Sequence, residues 1–211
     1  MFIDRVEAGR QLADALRDHV EGDVVVLGIP RGGVVVAAEV ARGLGCELDV
    51  VVPRKIGAPF NPELALGAIA TGVQVWDRDL IERLRIPETF LEHEVEAEEA
   101  EIERRTAVFR DDLPTVELAG RTAILVDDGI ATGSTALAAL RWTRSQGAAR
   151  IVLAVPVAPP ETVERFRSEA DDVVVLLAPR GFHAVGEWYE RFDQTSDEEV
   201  VEALRAARER G

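Results

Sequence analysis

At 211 residues and a formal net charge of −15, the chain is long enough to bury a full core and too acidic for sequence-independent nucleic-acid binding, which depends on basic patches. Its single cysteine, Cys46, excludes an internal disulfide and any multi-cysteine metal site. It lacks the apolar run of ~20 residues that a membrane helix needs, and Met1-Phe2-Ile3-Asp4-Arg5 lacks the basic start and apolar stretch of a signal peptide, so the expectation is a cytoplasmic protein with no membrane partner.

In chain order, Val6, Leu12, Leu16 and Val20 recur at near-helical spacing and predict an amino-terminal helix within residues 4–20. Asp23 to Ile29 reads as a buried strand, Pro30-Arg31-Gly32-Gly33 as the turn into a helix over about 33–44, and Leu48 to Pro53 as the next strand. That order is a βαβ unit with a right-handed parallel crossover. Residues 54–76 are predicted as a loop carrying Pro59 and Pro62, followed by a hairpin of Leu64–Ala70 and Val73–Trp76 around Thr71-Gly72. From 77 to about 110 the chain turns helical and charged, with Leu91, Val95 and Ile102 facing inward and the glutamates between 92 and 103 forming a solvated face to which no chemistry is assigned. Strands near 122–127, 150–156 and 172–178 then alternate with helices near 133–146 and 160–169, and Ser196 with Glu199 caps a last helix over about 197–210. The pattern predicts an α/β fold, an open, mostly parallel twisted sheet flanked by helices. It forms a single domain over 1–211, with a hairpin and helical insertion or flexible lobe at 56–110 and a carboxyl-terminal hood and helix at 179–211.

The stretch Ala123-Ile124-Leu125-Val126-Asp127-Asp128-Gly129-Ile130-Ala131-Thr132-Gly133-Ser134-Thr135 carries the most chemistry. A buried strand ends in two adjacent carboxylates. Gly129 and Gly133 allow close approach, while Thr132, Ser134 and Thr135 supply hydroxyls beside backbone N–H groups at the start of a helix, a ready-made anion site. Carboxylates next to a bound phosphate repel it unless they face hydroxyls or a metal ion, and ribose offers two neighbouring hydroxyls. Each feature alone is an ordinary turn or helix cap. In this order they resemble the phosphoribosyl diphosphate (PRPP) motif of the type I phosphoribosyltransferases.

The resemblance extends to other segments. The turn Arg31-Gly32-Gly33, by itself an ordinary connector, ends the first strand where that family places a pyrophosphate-binding loop. Arg54 and Lys55 follow the second strand toward the same sheet edge. Lys55 is the chain's only lysine. As a surface pair they would mean little, but beside an acidic pocket they suit diphosphate binding. The segment Val52–Ile69, including Asn61-Pro62-Glu63-Leu64, looks like a poorly characterised branch of the superfamily. The resemblance implies PRPP as co-substrate with Mg²⁺ held chiefly by the ligand and water rather than by direct protein ligands. The ribose and 5-phosphate would lie on Asp127, Asp128, Ala131, Thr132, Gly133, Ser134 and Thr135, and the pyrophosphate on Arg31, Gly32, Gly33, Arg54 and Lys55. Asp127, Asp128 and Lys55 are the catalytic candidates.

The acceptor is a small molecule, a nitrogenous base by resemblance, with Phe182 or Trp188 as candidates to stack on it. Both aromatics serve equally well to pack the carboxyl-terminal segment on the sheet. A homodimer is compatible with the resemblance. Two other readings stay open: a non-catalytic PRPP- or nucleotide-binding regulator of the same fold, and a phosphohydrolase or receiver-like protein whose acid pair binds Mg²⁺ directly.

Overall fold

A computed structural model of the chain describes residues 1–209, except the side chain of Glu63. Its centre is a five-stranded parallel sheet built from β1 (Val24–Gly28), β2 (Glu47–Val50), β6 (Thr122–Val126), β7 (Arg150–Val157) and β8 (Asp172–Leu177), in the order β2-β1-β6-β7-β8. The central strands β1, β6 and β7 read as nearly unbroken apolar runs because both faces are covered. Val25, Leu27, Ala123, Leu125, Ile151 and Leu153 pack on one face. Val26, Ile124, Val126, Val152 and Ala154 pack on the other.

Helices α1 (Arg5–Leu16), α2 (Gly32–Leu44) and α7 (Asp197–Arg208) cover the second face, contributing Leu12, Leu16, Val36, Val40, Val200 and Leu204. The predicted amino-terminal helix stops at Leu16, short of 20. Its start is fixed by Asp4, whose side chain accepts the Glu7 N–H at 2.9 Å. The Ser196–Glu199 capping box of α7 forms as expected. Helix α5 (Ser134–Ser145) packs on the first face with Ala136, Leu137 and Leu140, and α6 (Pro160–Phe166) adds Phe166.

A second, antiparallel sheet holds β3 (Arg54–Ala58), β4 (Asn61–Ala70) and β5 (Val73–Trp76) in that order. The β4–β5 hairpin forms where it was expected. The loop expected at 54–63 does not. Arg54–Ala58 is a strand that pairs with β4 through register shifts around Gly57. The two prolines that suggested a loop fall where a sheet tolerates them, Pro59 in the turn between β3 and β4 and Pro62 at the start of β4 beside the bulge. The charged segment divides into α3 (Arg78–Leu84), capped by Asp77, and α4 (Glu88–Arg110), with Pro87 opening the second. Leu91, Ile102 and Phe109 are the buried residues of α4.

Candidate active site

The chain makes β1, crosses to β2 on one side, and later places β6 on the other side of β1. The β1/β6 boundary is therefore the switch point in strand order, where open α/β sheets leave a crevice at the carboxyl ends. The register fixes what meets there. Gly28 lies opposite Val126, and the Ile29 N–H donates to the Val126 carbonyl at 2.9 Å, so the turn after β1 and the acid pair after β6 emerge side by side.

The contact between them is intimate. A Cβ on Gly32 would lie 2.0 Å from Asp128 Oδ2 and 2.5 Å from Arg5 Nε, and one on Gly33 would lie 2.8 Å from both Asp127 Cα and Asp127 Oδ1. No larger residue fits at 32 or 33 without moving the carboxylates. The glycines of the expected pyrophosphate turn thus lie against the expected ribose-binding acids. Arg31, preceded by a cis peptide bond from Pro30, is 32 % exposed and lies with Nη1 3.7 Å from Asp197 Oδ1 at the start of α7.

Asp127 and Asp128 are half-buried and unequal. Burial, reinforced by the charge of Asp128, pushes the Asp127 carboxyl well above the usual carboxylate range. Burial also raises Asp128, but Arg5 works against it: Arg5 Nε donates to Asp128 Oδ2 at 2.7 Å. Asp127 Oδ1 accepts the Asp128 backbone N–H at 2.8 Å. The Tyr189 hydroxyl donates to the Asp128 carbonyl at 2.5 Å, and burial raises the phenol's pKa further.

Residues 131–135, the expected cradle, form the loop into α5 and the start of that helix. Gly133 adopts φ +80°, a left-handed conformation that opens helix α5 directly behind it. The Ala131 carbonyl accepts from Thr162 Oγ1 at 2.7 Å and the Thr132 carbonyl from Arg165 Nη1 at 3.2 Å, so the loop's carbonyls are turned away toward α6. Thr132 is exposed and Ser134 and Thr135 are half-buried. Ser134 also borders a cavity of about 440 Å³ that carries Arg78 and Arg165.

Arg54 and Lys55 lie on β3 rather than on a loop, both half-buried. Arg54 forks onto Glu98 of α4, with Nε 2.6 Å from Oε2 and Nη2 3.4 Å from Oε1. Lys55 pairs in register with Ala68. Phe182 is half-buried in the segment after β8. Trp188 packs with Phe2, Ala8 and Tyr189, and its indole N–H is buried without a hydrogen-bond partner among the described residues. Among the described residues no group of three or more His, Cys, Asp or Glu could cage a metal ion, and no helix is long and apolar enough to cross a membrane.

Two contributors escaped the sequence reading. Arg5 and Tyr189 come from opposite ends of the chain and meet at Asp128 because residues 2–3 and 188–191 run together: Phe2 N–H donates to the Trp188 carbonyl at 2.7 Å and Glu190 N–H to the Phe2 carbonyl at 2.8 Å. The one local signal was the cluster of aromatics at 182–189. It gave no hint of what they would meet.

Comparison with known proteins agrees with this fold. The model of the phosphoribosyl transferase domain matches residues 4–191. The chain is 48 % identical over 208 residues to the "Putative phosphoribosyl transferase Rv0571c" of Mycobacterium tuberculosis H37Rv, covering 98 % of this chain and 47 % of that protein. The chain thus spans about half the length of the curated relatives it matches most extensively. It is 46 % identical to TT1426 from Thermus thermophilus, whose crystal structure superposes with a TM-score of 0.82 over 96 % of this chain and 97 % of that one. A shorter match, 42 % identical over 66 residues and 31 % of each chain, is to a uracil phosphoribosyltransferase of Exiguobacterium sibiricum. With the domain model matched over most of its length and an acid pair at the switch point of its parallel sheet, the chain belongs to the phosphoribosyl transferase domain family.

Proposed function

We propose that this chain transfers a 5-phosphoribosyl group from PRPP to a nitrogen of a small acceptor, a base or related compound. The bond from the anomeric carbon to the diphosphate oxygen breaks, a bond to the acceptor nitrogen forms, and the acceptor proton is lost as diphosphate departs. One observation carries the reading: Gly32 and Gly33 lie within side-chain reach of Asp127 and Asp128, so the turn proposed to bind the diphosphate and the acids proposed to bind the ribose share one crevice. The 5-phosphate is assigned to the N–H groups and hydroxyls of 131–135 at the start of α5, where the helix dipole favours an anion. The diphosphate is assigned to Arg31 and the N–H groups at Gly32 and Gly33, with Arg54 and Lys55 reaching it from β3.

Asp127 and Asp128 accept the ribose hydroxyls, and their charge offsets the positive charge that develops on the ring as diphosphate leaves. The two hard carboxylates at the crevice suit Mg²⁺, which would be coordinated mainly by PRPP oxygens and water, with the acids reached through water. When bound, Mg²⁺ neutralises diphosphate charge. The ion pairs Arg31–Asp197 and Arg54–Glu98 engage two of the diphosphate cations, so PRPP competes with carboxylates for both. The segment 56–110 is the proposed cover that excludes water, and 179–196, with Phe182 foremost, the proposed acceptor side. A cytoplasmic setting and a homodimer belong to the same proposal.

The test is PRPP- and Mg²⁺-dependent release of diphosphate across a panel of purine and pyrimidine bases. Turnover with any base supports the reading. Binding without turnover for every base favours the regulator, and absence of PRPP binding removes both.

A further inference from the structure

The acid pair is held asymmetrically. Arg5 Nε meets Asp128 Oδ2 at 2.7 Å with both side chains largely shielded, 12 % and 16 % exposed. The same guanidinium donates through Nη1 to the Asp193 carbonyl at 2.7 Å and lies 3.9 Å above the Phe192 ring. Phe192 stacks at 5.0 Å on Tyr189, whose hydroxyl holds the Asp128 carbonyl. Asp128 is therefore gripped at its side chain by α1 and at its backbone by the carboxyl-terminal segment, and Arg5 joins the two grips. Gly32 closes a third side. The charged and titratable groups facing Asp128 are Arg5, Asp127 and Tyr189. The Asp127 carboxylate is held as well: Oδ1 accepts the Asp128 backbone N–H at 2.8 Å, a Cβ on Gly33 would lie only 2.8 Å from it, and it shares a side-chain hydrogen bond with Asp128.

We infer that Arg5 is a positioning residue of the PRPP site: it fixes Asp128 against the Gly32 turn and ties that carboxylate to the 188–193 segment. This rests on the function proposed above. It distinguishes two acids that the sequence presents as twins, since the Arg5 guanidinium bonds to Asp128. It also gives the acceptor side a physical connection to the PRPP side, because a shift of 188–193 moves Phe192, then Arg5, then the Asp128 carboxylate.

The test compares Arg5→Gln, Arg5→Lys and Tyr189→Phe with the unaltered chain by calorimetric titration of PRPP with Mg²⁺, and by amide NMR of the ligand-free proteins. Arg5→Gln is expected to weaken PRPP binding about tenfold to a hundredfold, the scale of losing one hydrogen bond to a charged group. Arg5→Lys should recover part of that loss, and Tyr189→Phe should weaken binding less than Arg5→Gln. In the ligand-free spectra Arg5→Gln should shift the amides of Gly32, Asp127 and Asp128 together with those of 189–193. Unchanged PRPP affinity in a folded Arg5→Gln protein overturns the inference, as does a spectral change confined to α1. If the unaltered chain does not bind PRPP, the proposed function fails, and the amide shifts alone then decide whether Arg5 positions Asp128.

Discussion

Replacing Gly32 by alanine tests the packing on which the site is built. The added Cβ would lie 2.0 Å from Asp128 Oδ2, 2.9 Å from its Cγ and 2.5 Å from Arg5 Nε. Ordinary contact needs roughly 3.5 Å, so the carboxylate has to retreat by about 1.5 Å, and the 2.7 Å Arg5–Asp128 bond does not survive that movement. Losing a shielded hydrogen bond between charged groups costs about 1.5–3 kcal/mol. For a chain of this size each kcal/mol lowers the thermal midpoint by about 2–4 °C, giving an expected fall of about 3–12 °C by differential scanning calorimetry. If the cost lies in that pair, Gly32→Ala should cost less when Arg5→Gln is already present, a non-additivity that a double-mutant cycle measures. Gly33→Ala should cost more than Gly32→Ala, because its Cβ would meet the Asp127 Cα and the Val126 carbonyl, which are backbone and cannot swing aside. A Gly32→Ala protein with an unchanged midpoint, or strictly additive costs with Arg5→Gln, would refute the reasoning.

Three further outcomes follow from the same geometry. Asp127 has a folded-state pKa above its unfolded one, so the stability it contributes is full below the ordinary carboxylate range and is lost as pH rises through the folded value. Asp127→Asn should therefore be at least as heat-stable as the unaltered chain at pH 8 while PRPP binding falls, and a lower midpoint at pH 8 would contradict this. Asp197→Asn removes the carboxylate that competes for Arg31, a partly exposed pair worth under ~1 kcal/mol, so PRPP should bind up to about fivefold more tightly in a calorimetric titration. Weaker binding would show that Asp197 orients Arg31 for the ligand. Burial pushes the Cys46 thiol up to about 11, so iodoacetamide should label it slowly at pH 8 and faster only as the pH climbs toward that value. Labelling at the rate of an ordinary exposed thiol would place Cys46 in water.

The sheet and the start of α5 were legible because their causes are local: apolar runs such as Val24–Gly28 and Thr122–Val126 bury both faces, and the Gly133-Ser134-Thr135 turn precedes the helix-forming Ala136–Leu140 run. That the turn after β1 lies beside the acid pair was legible because strand ends gather on one edge of a parallel sheet. What stayed hidden depends on distant partners. Arg5 looks like any first-turn arginine until residues 2–3 join 188–191 and carry it to Asp128. Glu98 sits in a run of glutamates that reads as solvated, yet it holds Arg54. The strand β3 was masked by Pro59 and Pro62, whose usual meaning is overridden by a turn and a bulge. The candidate stacking role of Trp188 meets a further complication, since the ring is shared with the apolar cluster around Phe2 and Tyr189.

The central claim is that one crevice holds both ends of PRPP. A crystal structure with PRPP and Mg²⁺ tests it most directly. The account predicts the 5-phosphate on the N–H groups of 131–135, ribose hydroxyls on Asp127 and Asp128, and diphosphate over Arg31, Gly32 and Gly33. Electron density for PRPP away from the β1/β6 boundary, or a 5-phosphate seated anywhere other than the start of α5, would contradict it.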